Sequence, residues 1–137
     1  MPITKYNITI TVIALAISLS YTSCRKKSAP VENPSAVGIT VQSPLKGELY
    51  RKGDTVNMSF SVTYTGELHG YYVQLIDTAT ENVLYESAAD IHNDHFSVQL
   101  QWVDTCTQVK NLQLIINANL DHVGTEAADT VWIATTP

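Results

Sequence analysis

Residues 56–64, VNMSFSVTY, alternate apolar and polar side chains without a fault. Val56, Met58, Phe60, Val62 and Tyr64 point one way, and Asn57, Ser59, Ser61 and Thr63 point the other. A period of two belongs to an extended strand with one buried face, because successive side chains leave opposite sides of the backbone. The pattern recurs in HFSVQLQW, where Phe96, Val98, Leu100 and Trp102 oppose Ser97, Gln99 and Gln101. It recurs again in NLQLIINA, which sets Leu112, Leu114, Ile116 and Ala118 on one side. Shorter strands are expected at 38–43, 71–77, 83–87 and 129–134. From residue 37 onward no segment carries a 3.6-residue apolar stripe with helix caps.

Turn-forming runs separate these strands: SPLKGELYRKGD, TGELHG, DTATEN, AADIHND and DHVGTEAAD. Seven short, half-buried strands within about 100 residues suit a seven-stranded antiparallel β-sandwich of immunoglobulin or fibronectin III type. A closed barrel is the alternative, since periodicity does not distinguish closure from two packed sheets. A domain of this size buries roughly two-thirds of its unfolded surface. No intersheet cystine is available, so packing alone must hold the core. Trp102 shares a side with Phe96, Val98 and Leu100 and is expected to plug that core.

The amino-terminal part reads differently. A positive start at Lys5 leads into an apolar run, YNITITVIALAISLSY, and then Thr22, Ser23 and Cys24. The run is of signal-peptide length and too rich in Thr and Ser for a span of roughly 20 apolar residues. The sequence around Cys24 resembles a bacterial lipobox, with Tyr21 standing where that motif more often carries an aliphatic residue. The resemblance implies removal of residues 1–23 and acylation of Cys24, which would fasten the chain to a membrane through its lipid. Residues 24–36 then form a flexible tether: Arg25, Lys26 and Lys27 suit anionic headgroups, and Pro30 and Pro34 favour an extended spacer. Acidic export signals are absent after Cys24. The expected address is the bacterial cell envelope at the outer membrane, with the periplasmic side favoured over the cell surface. The domain proper is expected at residues 37–137.

Charge narrows the class of partner. From residue 37 onward four cations face twelve carboxylates, a balance of −8. Nucleic-acid binders need basic faces, so nucleic acid is excluded as a partner. With Cys24 acylated, Cys106 has no intrachain partner in an oxidising compartment. It is either a buried small hydrophobe or an exposed thiol that pairs between chains.

A family resemblance follows from longer stretches. ITVQSPLKGELYRKGDTVNMSFSV looks like the opening of many bacterial immunoglobulin-like domains: a first strand, Ser-Pro, a Gly, an aromatic residue, then Gly-Asp before the second strand. VQLIDTATENVLYES, DIHNDHFSVQLQW and LIINANLDHVGTEAADTVWI resemble small lipoproteins of Bacteroidetes-type bacteria that carry such a domain. The resemblance covers residues 37–135 and the lipobox. It implies the fold and a lipid anchor, and it brings no activity with it.

Three groups of residues are candidates for function. DIHNDHF places His92 and His95 beside Asp90 and Asp94, four donors that in a loop would suit Cu(II) or Zn(II). Exposed polar turn residues explain the same segment without a metal. His69 and His122 would join from other loops if they share one end of the sandwich, with the His92/His95 loop at another end. A calcium loop of EF-hand type is excluded, because His95 occupies the obligatory Gly position and Gln101 that of the bidentate Glu. Tyr71, Tyr72 and Trp132 are candidate aromatic contacts for a protein or glycan partner, since neighbours on a strand face opposite ways. Thr55, Thr78 and Thr130 are the middle residues of Asp-Thr-aliphatic triplets, which are similar to extracytoplasmic O-glycosylation sites in such bacteria, and Thr78 is expected to be the most accessible. No nucleophile elbow and no phosphate-cradling loop is present. The chain is therefore expected to be a non-enzymatic binding or structural module without a cofactor, the alternative being a Cu- or Zn-binding lipoprotein that uses the loop at 90–95.

Overall fold

The computed structural model describes residues 36–137. The expected signal peptide, Cys24 and all but the last residue of the expected tether lie outside the described residues. Six strands follow one another: β1 (Val37–Ser43), β2 (Leu49–Arg51), β3 (Thr55–Asp77), β4 (Val83–Val103), β5 (Lys110–Asn119) and β6 (Glu126–Thr136).

Two of them are far longer than ordinary strands, with 23 residues in β3 and 21 in β4. Each belongs to two layers in turn. The front of β3 pairs antiparallel with β1, from Ser43↔Ser59 to Val37↔Tyr64, and with the back of β4, from Thr55↔Val103 to Thr63↔His95. The back of β3 pairs with the front of β4, from Tyr71↔Ala89 to Ile76↔Val83, and on its other side with β5. β5 continues to β6, and β2 adds a short parallel strand at the far edge. One layer thus holds β1, front β3 and back β4. The other holds front β4, back β3, β5, β6 and β2. With the halves of β3 and β4 counted separately, this is a fibronectin III-type immunoglobulin-like sandwich of the seven expected strands plus β2.

The continuity of β3 and β4 corrects two expected turns. TGELHG and AADIHND are not hairpins but stretches of strand that cross from layer to layer. Register shifts between Thr63 and Leu68 and between His69 and Tyr71 let the backbone turn this corner without ending its ladder. Gly70 makes the second shift possible. Its φ is 115°, and a β-carbon there would lie 2.1 Å from the Ala89 carbonyl oxygen. The short β2 falls inside a stretch expected to be a turn, and Tyr50 is its one buried side chain.

The core is built from the alternating faces foreseen in the sequence. Val56, Met58, Phe60, Val62 and Tyr64 are buried, as are Leu112, Leu114, Ile116 and Ala118. Trp102 packs half-buried against them. Each fully buried Leu, Ile or Phe contributes about 1.5–3 kcal/mol relative to exposure. Aromatic rings join the layers: Tyr71 meets Phe60 edge-on at 5.6 Å between centroids and Phe96 at 5.9 Å. Tyr71 is thereby removed from the candidate partner contacts, because it faces inward as a core residue.

Cys106 is the buried alternative of the two, and burial pushes its thiol pKa up. Asp77 closes β3 as a buried carboxylate, salt-bridged to Lys110 and accepting the Ala79 N–H at 3.0 Å. Lys110 first, and that N–H second, hold its pKa down at about 2.

Candidate functional site

Where β3 and β4 cross between layers, three histidines come together. His69 on β3 stands directly opposite His92 on β4, as the ladder register requires. Directly opposed residues carry their β-carbons about 5 Å apart. Their rings meet edge-on with centroids 4.9 Å apart. His122 arrives from the turn between β5 and β6, 4.0 Å from the His69 ring and 5.8 Å from that of His92.

The supports of this cluster differ. Between Thr63 and Leu68 β3 carries extra residues relative to β4. That bulge brings Glu67 to His92, whose Nδ1 lies 3.2 Å from Glu67 Oε1. On its other side His92 Nε2 lies 3.2 Å from Asp90 Oδ1. Asp90 and His92 are two apart on one strand and share a face. The turn bearing His122 is set by Asp121, whose Oδ1 accepts the N–H groups of Val123 at 2.9 Å and Thr125 at 2.8 Å. Hydrogen bonds from Thr125 hold the Asp121 carboxyl below its usual range. Leu120 N–H closes the same turn onto Thr125 O at 2.9 Å. His69 Nδ1 is shielded from solvent and has no hydrogen-bond partner. Beside it a shallow depression of about 370 Å³ is lined by His69, Tyr72, Asp90 and Asn119.

The four donors expected to act together do not all converge. Asp90 and His92 meet, whereas Asp94 and His95 stand apart. The segment 90–95 is edge strand rather than loop, so residues three apart face opposite ways. His95 lies opposite Thr63 and turns its Nδ1 to Asp94 Oδ1 at 2.5 Å, largely in solvent. His69 and His122 are neighbours, as expected, although His69 sits in strand β3 rather than in a loop. His92 joins them because it lies across the ladder from His69, a relation fixed by pairing between residues 23 apart in the chain. A histidine on each of two strands is the only trace of it in the sequence, and it carries no register information.

The remaining candidates lie elsewhere. Tyr72 is half-buried and donates its hydroxyl to Glu86 Oε2 at 2.9 Å, which raises its pKa. Trp132 on β6 is 47% exposed. It borders a depression of about 340 Å³ together with Thr78 and Asn111. Gly47 N–H donates to Trp132 O at 2.7 Å and ties the 45–49 segment, with exposed Leu45 and Leu49, to this edge. Thr78 is not the most accessible threonine of the three triplets. It is half-buried, its hydroxyl donating to Asn111 O at 2.9 Å, whereas Thr55 is exposed. The turn after Asp77 folds back over β5, and this proximity is what covers Thr78.

No protein-family model matches the sequence, and no curated protein matches it. Among solved structures, the chain is similar to the fibronectin(III)-like modules of Clostridium thermocellum CbhA, at 13% identity and a TM-score of 0.43 over 72% of this chain and 96% of that one. It is also similar to a CARDB domain from Pyrococcus furiosus solved in complex with di-metal ions, at 8% identity and a TM-score of 0.41 over 74% and 93%. By its own strand order, the described part of the chain is an immunoglobulin-like β-sandwich of fibronectin III type.

Proposed function

We propose that this chain is a lipid-tethered immunoglobulin-like module with a non-catalytic binding or structural role in the bacterial cell envelope. One observation carries the reading. A single all-β sandwich begins at Val37, and the sequence before it holds a lone cysteine behind an apolar run. Acylated at Cys24, the chain stays on its membrane because several acyl chains each bury many methylenes. Residues 24–36 then act as a spacer, reaching roughly 40 Å at about 3.1 Å per extended residue. The outer membrane with the domain toward the periplasm is the proposed address. Trp132, with Leu45 and Leu49 on the same edge, is the proposed anchor for a protein or glycan partner.

Metabolic labelling with an alkynyl fatty acid tests the tether. The full chain is expected to take up label and fractionate with membranes. Cys24→Ala should lose the label, and a chain that still acquires it would sink the assignment of Cys24.

A further inference from the structure

We propose that His69, His92 and His122, completed by Asp90, bind one late first-row divalent ion of the Zn(II) or Cu(II) kind. The site stands apart from the tethering reading, since every donor lies on the folded domain. Neutral imidazole suits both ions, and three imidazoles with one carboxylate make a four-donor shell.

Spacing is the first argument. With metal–nitrogen bonds of about 2.0–2.1 Å, three imidazoles around a tetrahedral ion hold their centroids about 5 Å apart. The observed centroid distances of 4.9, 4.0 and 5.8 Å bracket that value. Two donors of one tetrahedral shell lie about 3.3 Å apart by the same bond lengths. His92 Nε2 and Asp90 Oδ1 already stand at 3.2 Å.

The second argument is the backbone. Ladder pairing fixes the opposition of His69 and His92, and the Asp121 turn places His122 over them. As the side chains stand, no group of three His, Cys, Asp or Glu among the described residues is arranged to hold a metal ion. The proposal places that convergence in the outer ring torsions of the three histidines, which are broad and roughly two-fold. His69 Nδ1, buried without a partner, would gain one in the ion. Glu67 at His92 Nδ1 fits a positioning role: it fixes one ring nitrogen and leaves Nε2 to the metal. His95 is excluded, since it faces the other way.

The test titrates the full chain, in detergent, with Zn(II) and separately with Cu(II) against a competing chelator of known affinity. One ion per chain at micromolar affinity or tighter is expected. Cu(II) paramagnetic resonance should show coupling to three nitrogens. His122→Asn, in an exposed turn, should weaken binding at least about tenfold and leave two coupled nitrogens. His92→Ala should do the same, Glu67→Gln should weaken binding about tenfold, and His95→Ala should bind like the parent. Thermal melts of each variant without metal check that the sheet persists, and His122→Asn decides the matter if changes on the strands unfold the domain. Failure of both ions to bind, binding indifferent to His92 and His122, or equal loss in His95→Ala would each overturn the site.

Discussion

A β-carbon on Gly70 would lie 2.1 Å from the carbonyl oxygen of Ala89, so β4 leaves no room for a side chain at this point of the corner between layers. The backbone there also adopts a φ of 115° that side-chain-bearing residues rarely occupy. Gly70→Ala should therefore destabilise the domain by about 2–4 kcal/mol, through strain and a backbone clash together. Gly53→Ala is the matched comparison. Its φ is 93° but the space around it is open, so about 1–2 kcal/mol of strain is expected alone. Urea unfolding of both variants separates the clash from the strain.

Asp77 and Lys110 should give stability a defined pH dependence. The Asp77 carboxyl titrates near 2 when folded against its ordinary 3.8, so its contribution is complete above pH 4 and disappears as pH falls through about 2. Lys110 is raised above 10.5, so its share is full below that value and fades as pH climbs past it. Asp77→Asn should be less stable than the parent at pH 6, and the gap should narrow between pH 4 and pH 2. A gap of constant size down to pH 2 would show that the charge is not what stabilises this turn.

Cys106 should be inert while the domain is folded. It is buried, and burial raises its thiol pKa, so little of the reactive thiolate exists near pH 8. In a Cys24→Ser background, a thiol reagent should label Cys106 only after denaturant is added, with a rate that follows global unfolding. Rapid labelling of the native form would mean that this side chain is reachable from solvent.

Trp132 should be dispensable for folding. Nearly half its surface is already in water, so Trp132→Ala should cost no more than about 1 kcal/mol. The variant should also lose most of the acrylamide-quenchable fluorescence, because Trp102 packs against the core. A large loss of stability would mean that Trp132 seals the β2–β6 edge rather than presenting a surface.

Strand faces were the part of this fold most legible in the sequence. The alternation at 56–64, 95–102 and 111–118 picked out the core, because one buried face imposes a period of two on any strand. The corner was not legible. His69, Gly70 and His92 resemble turn residues locally, yet ladder pairing across the corner keeps them in strand. Long-range pairing also decided the site. Neighbours within DIHNDHF suggested a constellation of four, whereas register across β3 and β4 selected His92 and Asp90 and left His95 and Asp94 aside. Tyr71 and Tyr72 were separable only as a pair facing opposite ways. Which of them faced inward depended on Phe60 and Phe96, residues far away in the chain.

Because β3 and β4 each pass through both layers, neither layer is a separable piece of chain. Opening one of them strips neighbours from a strand whose other half builds the second. Native-state amide exchange should therefore find the slowest protons of Phe60 and Val73, in different layers, opening with the same free energy and the same denaturant dependence. Two distinct values would mean that the bulge near Gly70 acts as a fracture line. A shared value would make this domain a creased ribbon with two faces, held or lost as one.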